Sequence, residues 1–440
     1  MINTNVGKLS RRRLMAGMGT AAAGAMLWGH GALGAASDSL PESPSGTSAE
    51  DLARDESYWQ RVASFYDRTE GIVNLEHGYW GKMPRPVQSS YLQALERVNT
   101  QNSFYARKEF SSDYRRAVEQ AAALLGAEPD EIVLTRNATE SIQSLILQYD
   151  SLKTGDSVLL ADVDYPSFKT LMRSLEQSRG VKAVELALPR RATQAELLAA
   201  YTEAFDANPK LKLMLLTHVS NQHGLVLPVA KITAEARLRG IDVICDNAQS
   251  WGLLDYRITD LGVDWAAFNL HKWIGAPLGV GALYMRRGTR EKIKVHPGER
   301  DLSSKSVGAR VHPGTINFAA IIAVPDALGF HNAVGGANKT ARLRYLNELW
   351  REEAETLSHI EVLGGADPES RTGMGSFRLL GKNSDDDAKA LQKTLEADFG
   401  IFSVARYGLA DGACVRITPQ VFTTPNDLRQ LVSALKRITA

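Results

Sequence analysis

Two stretches decide the fold. The first is Ile241-Asp242-Val243-Ile244-Cys245-Asp246-Asn247-Ala248-Gln249-Ser250-Trp251-Gly252. The second is Trp265-Ala266-Ala267-Phe268-Asn269-Leu270-His271-Lys272-Trp273-Ile274-Gly275. Each opens with a short, nearly continuous apolar run, as a strand buried on both faces requires. Each then ends abruptly in reactive side chains. A carboxylate, Asp246, closes the first run, and His271 and Lys272 follow the second.

An amine and a carboxylate placed at two strand ends suit pyridoxal phosphate chemistry. The lysine forms a Schiff base with the cofactor aldehyde, so it needs surroundings in which its pKa falls. The carboxylate faces the pyridine nitrogen and keeps it protonated, which lets the ring accept electrons. Lys272 and Asp246 are therefore the expected catalytic pair.

Working outward, strand patterns cover 132–135, 157–160, 182–186, 212–219, 242–246, 265–269 and 281–285. Helical patterns at 138–149, 167–177, 194–205 and 228–239 separate the earlier ones. That alternation predicts right-handed βαβ units and a mostly parallel, seven-stranded sheet. The connection 270–280 is too short and Gly/Pro-broken for a crossover helix. The last strand is thus antiparallel or not adjacent to its predecessor. Beyond Pro325 a long helical pattern, 339–357, precedes strand patterns at 376–380, 402–405 and 413–417 and helical ones at 385–397 and 425–436, which reads as a smaller α+β domain. The expected organisation is 1–36 export signal, 37–85 linker and N-terminal substrate-side segment, 86–325 large domain and 326–440 small domain.

The chain has 440 residues, 44% hydrophobic, enough for a large core. Its 51 Lys+Arg balance 50 Asp+Glu without long single-sign blocks. Nucleic acid and anionic membrane are therefore poor partners. Two cysteines, Cys245 and Cys414, cannot build a disulfide framework or a multi-cysteine metal site. No His/Cys/Asp cluster has metal-ligand spacing. Near the start, Ser10-Arg11-Arg12-Arg13-Leu14-Met15 and the Ala/Gly-rich stretch to Ala36 form a twin-arginine export signal. A mature periplasmic protein beginning near residue 37, not inserted in the membrane, is expected, with the twin-arginine translocase as its export partner.

These motifs resemble the class V aminotransferases, of the fold type I pyridoxal phosphate enzymes, over about residues 70 to 435. The wording of 74–84 and 269–281 is most similar to the isopenicillin N epimerase-like branch. The resemblance implies pyridoxal 5'-phosphate as cofactor and further site residues. Asn137, Ala138 and Thr139 open a helix whose free N–H groups and dipole suit the phosphate; His271 and, from a neighbouring subunit, Thr315 join them. Tyr165 stacks on the ring, Gln249 bonds its phenolic oxygen, and Asn221 lies near cofactor and substrate. Arg416 binds the substrate carboxylate, because a guanidinium fork matches it. His77 and Trp80 belong to a substrate-side loop. A homodimer with the active site at its interface follows.

Cysteine desulfurases of this family carry a nucleophilic cysteine shortly before that arginine. Here the stretch 405–412 has none, so desulfuration is disfavoured. The expected function is a small-molecule enzyme acting on an amino acid or amine-bearing metabolite by transamination or epimerisation. Alternatives are a siderophore- or peptide-tailoring enzyme of decarboxylating or oxidative type, or a silent binding protein on the same fold.

Overall fold

The computed structural model describes residues 40–438; the export signal expected at 1–36 lies outside them. In chain order the strands are β1 (Val73–Asn74), β2 (Ile132–Thr135), β3 (Ser157–Ala161), β4 (Lys182–Leu186), β5 (Leu211–Thr217), β6 (Asp242–Asn247), β7 (Trp265–Asn269), β8 (Gly281–Met285), β9 (Ile360–Leu363), β10 (Gly375–Leu379), β11 (Ile401–Phe402), β12 (Val404–Arg406) and β13 (Cys414–Ile417). Seven of them form one sheet in the order β2-β8-β7-β6-β5-β3-β4. Its strands are parallel except β8, which runs antiparallel to both β7 and β2. The short, Gly-broken link after β7 thus gives an adjacent antiparallel strand, the first of the two options its length allows.

Alternation along the strands explains the burial. Met214, Leu216, Val243, Cys245, Ala266 and Phe268 pack into the core on one face of the sheet. Their neighbours Leu213, Leu215, Ile244, Trp265 and Ala267 pack into the core on the other. Both faces are covered, so β5, β6 and β7 need apolar residues at nearly every position. The helices match the patterns within a few residues: Ala138–Gln148, Pro166–Arg179, Gln194–Ala207 and Val229–Leu238.

A second sheet, β12-β13-β10-β9, is antiparallel. Helices Gly336–Glu355, Asp385–Phe399 and Pro425–Arg437 accompany it. Leu346, Trp350, Phe377, Val415, Ile417 and Leu431 fill its core, and Leu75 from the N-terminal segment is buried with them. That segment pairs β1 with β11 in parallel, and Glu76 then bridges to Thr418. Past Trp80 it lands on the turn after β7, where the Gly81 N–H donates to the His271 carbonyl at 2.9 Å. A Cβ on Gly81 would lie 1.9 Å from the Lys272 carbonyl oxygen, so only glycine permits this contact.

Candidate active site

Parallel strands bring their carboxyl ends to one edge, where crevices form in open α/β sheets. Here β2, β3, β5, β6 and β7 end beside one another, and antiparallel β8 begins there. The loops at that edge surround a cavity of about 500 Å³. Lys272 and Asp246 line it together with Gln249, Asn137, Ala138, Thr139, Tyr165, Asn221, His271 and Trp80. Residues from six segments of the expected site thus meet in one place.

The floor holds the charged pair. Burial pulls the Lys272 amine down to about 7, against an opposing pull from Asp246; Arg416 and Arg406 lower it further. Near neutrality this amine is partly unprotonated, as a nucleophile or base requires. Asp246 is buried, which raises its pKa; the Ala248 N–H, at 2.9 Å, and the Lys272 charge oppose that rise. Behind it lies a second buried carboxyl, Asp164, held by the Ala161 N–H and the Thr217 hydroxyl and pushed by burial up to about 7. Gln249 is fixed between two groups: its amide donates to the Gly78 carbonyl and its oxygen accepts from the Trp273 indole, each at 2.9 Å. One amide N–H of Gln249 stays available.

The anion end is the N-terminus of helix Ala138–Gln148. Asn137 caps it by accepting from the Glu140 N–H at 2.8 Å, and the Ala138 N–H donates to Asn269 Oδ1 at 2.9 Å. Among the described residues the Thr139 N–H meets no acceptor. This leaves it, with the helix dipole, facing the cavity. Gly281 makes the packing possible: a Cβ there would lie 2.6 Å from both Asn137 Cα and the Phe268 carbonyl. His271 borders the same end. Its Nδ1 is 2.9 Å from the Val280 carbonyl and therefore carries the proton, and burial lowers the ring to about 4. To donate to an anion His271 takes up a second proton, which a nearby dianion favours.

The mouth is aromatic. Tyr165, which precedes helix Pro166–Arg179, is partly exposed and meets Phe168 edge-on. Tyr79 and Trp80 are exposed and in edge contact with each other. Buried Asn221 Oδ1 has no partner among the described residues.

Two expected residues stand elsewhere, and a third is expected at a neighbouring subunit's site. His77 is buried outside the cavity: Nε2 meets the Asn74 carbonyl at 3.1 Å and the ring packs edge-on against Phe422. The expected substrate contact fails because the His77 N–H is bound to Thr418 and its ring to Asn74 and Phe422, away from the cavity. Thr315, expected to reach a neighbouring subunit's site, is exposed in this chain. Arg416 is wholly buried and does not line the cavity either. Its guanidinium is closed by Glu76, at 2.6 and 2.8 Å, and by the Asn221 carbonyl at 2.6 Å. The fork expected to meet a substrate carboxylate is occupied by one of the protein's own.

A different arginine, Arg406, lines the cavity. In the β12–β13 register Arg406 faces Cys414 and Arg416 faces Val404. The two arginines are diagonal neighbours on one sheet face. What distinguishes them is Glu76, which pairs with Arg416 and lies 3.8 Å from Arg406; strand alternation around 404–406 signals only that Val404 and Arg406 share a face.

The family model for aminotransferase class-V matches residues 82–431. Isopenicillin N epimerase of Streptomyces clavuligerus is 27% identical over 385 residues, covering 84% of this chain and 95% of its own. A probable cysteine desulfurase of Aeropyrum pernix is 33% identical over 240 residues, 53% of this chain and 56% of its own. Among solved structures, a cystine C-S lyase in complex with its product cysteine persulfide superposes with a TM-score of 0.73 at 22% identity, covering 84% of this chain and 99% of that one.

Proposed function

The chain belongs to the aminotransferase class-V family, and on that premise we propose that it transaminates or epimerises an amino acid or amine-bearing metabolite, with Lys272 as covalent anchor and proton carrier. Its cofactor is pyridoxal 5'-phosphate. When bound, that group supplies an aldehyde and an electron-withdrawing ring that takes up charge from the carbon bearing the amine. The residues present fit it. Asp246 offers a buried carboxylate that needs a cationic partner. Thr139 offers a free N–H at a helix start, and Gln249 a free amide N–H. The observation that carries the reading is the desolvated Lys272 amine on the same floor as Asp246.

Each role follows from position. Lys272 moves a proton to or from the amine-bearing carbon, aided by a pKa near the working pH. Asp246 would hold the proton on the ring nitrogen. Thr139 and His271 would hold the phosphate, while the Ala138 N–H expected beside them is taken by Asn269; Thr315 of a second subunit would complete that end in a homodimer. Tyr165, which lines the cavity, would cover the ring and exclude water. The open aromatic mouth of Tyr79, Trp80 and Tyr165 supports an amine substrate larger than a small free amino acid, such as a peptide-like metabolite. Cysteine desulfuration is disfavoured. Both cysteines are buried; burial pushes the Cys414 thiol up to about 11 and Cys245 well above its usual value. Neither supplies a reactive thiolate.

The twin-arginine motif supports a periplasmic location, tested by fractionating cells that express the chain with Arg11 and Arg12 replaced by Lys. The catalytic reading is tested with purified protein. A visible band that borohydride bleaches, and that Lys272→Ala alters, is expected. Incubation with amino acids in deuterated water then separates the reactions: keto acid release marks transamination, while inversion with deuterium uptake marks epimerisation. Absence of any borohydride-sensitive band after addition of pyridoxal phosphate would overturn the assignment of Lys272.

A further inference from the structure

We propose that Arg406, and not Arg416, receives the substrate's carboxylate, because Glu76 already occupies Arg416. The inference rests on reading the Lys272 cavity as the active site. Arg416 is wholly buried, and both Glu76 oxygens lie on its Nη2. Gly78 covers it: a Cβ there would sit 2.7 Å from Nη2. Glu76 is itself held, accepting from the Thr418 hydroxyl at 3.2 Å. Burial would raise its pKa, but the charge and hydrogen bonds of Arg416 prevail and lower it. A substrate carboxylate that reached Arg416 would have to displace Glu76 and leave a buried carboxylate unpaired.

Arg406 presents the opposite situation. It lines the cavity with a side chain 24% exposed, against 0% for Arg416. Its guanidinium makes no hydrogen bond among the described residues, and buried Nε has no partner. The nearest carboxylate oxygen, Glu76 Oε1, is 3.8 Å from Nη2, beyond hydrogen-bonding range. Arg406, Arg416 and Glu76 together leave one positive charge, carried by the arginine that faces the cavity. A free planar fork beside a desolvated amine is built for a carboxylate. Glu76 becomes the specificity switch: by consuming Arg416 it hands recognition to a residue placed differently against the same floor.

The test uses holoenzyme and two kinds of probe that react with the cofactor carbonyl, followed by visible absorbance. O-Methylhydroxylamine has no carboxylate; aminooxy acids with one to three carbons between nitrogen and carboxylate supply it. The wild type is expected to react with at least one acid faster than with O-methylhydroxylamine. Arg406→Gln is expected to cut that preference about 10- to 100-fold, the worth of a charged hydrogen-bond pair. Arg406→Lys, which keeps charge and packing, is expected to lose part of it and serves if the Gln variant is unstable. A preference unchanged in both variants, or no preference in the wild type, overturns the assignment. A wild type inert to every probe, O-methylhydroxylamine included, would instead overturn the reading of the cavity.

Discussion

The floor of the cavity and its wall were assembled in different ways. Asp246, Gln249, Asn269, His271 and Lys272 come from two neighbouring strand ends. Backbone hydrogen bonds between β6 and β7 set their relation. The wall is backed by Glu76, Arg406 and Arg416, of which only Arg406 lines the cavity; they come from three segments brought together by the second sheet and the N-terminal strand. On the floor, a side chain's role follows from its place on a strand. On the wall, two arginines of the same chemistry differ only in which one meets Glu76. Charged groups near one another are assigned by pairing, and pairing is a tertiary property.

Four changes would sharpen or break that contrast. The largest effect belongs to the floor. Lys272→Ala is expected to cost at least about 10³-fold in kcat and to abolish borohydride trapping, because it removes covalent anchor and proton carrier together. Turnover near wild type would break the floor assignment. Asp246→Asn should follow with about a 100-fold loss in kcat, measured at saturating cofactor, since it removes a preorganised charge but no reacting atom.

On the wall, Glu76→Ala should act on stability first. It strands a wholly buried guanidinium, at a cost of about 3 kcal/mol in denaturant unfolding. The pair also carries a pH signature. Glu76 has its folded pKa lowered, so its contribution is complete above the unfolded carboxylate pKa and is lost as pH falls through the folded one. Wild type and Glu76→Ala are therefore expected to converge in stability at acidic pH. Parallel curves would show that the pair contributes nothing specific.

The smallest effect concerns a buried lysine that reaches the turn carrying Lys272. Lys339, buried on helix Gly336–Glu355, donates to the Trp273 carbonyl at 2.6 Å and lies 3.0 Å from His331 Nδ1. Burial lowers its amine to about 7. Between pH 7 and the unfolded lysine pKa, the unfolded chain binds a proton that the folded one does not, so stability rises with pH there. Lys272 adds to the same slope. Lys339→Met is expected to remove Lys339's part, up to about 1.4 kcal/mol per pH unit. An unchanged slope would mean that Lys339 is charged in the fold.

Much of this was legible in the residues. All seven strands of the large sheet were predicted within about two residues, since burial on both faces forces continuous apolar runs. The floor residues were legible for the same reason: a strand end fixes where the next side chains lie. Strand β9 was missed, because Ile360-Glu361-Val362-Leu363 is short and carries a charge that pairs with Arg378. Helices Arg85–Lys108 and Phe110–Leu125 were missed where polar and aromatic residues blur the period.

Sequence by itself determined the sheet, the Lys272–Asp246 pair, the helix start at Asn137 and the family. Local pattern encodes these, because strand burial, capping and turn chemistry depend on neighbours in the chain. Only tertiary structure decided that His77 turns away, that Glu76 takes Arg416, and that Arg406 faces the cavity. Those outcomes depend on the β12–β13 register and on the N-terminal strand laid against β11. In a desolvated site a charge belongs to whichever partner packs beside it, and no local pattern records that choice.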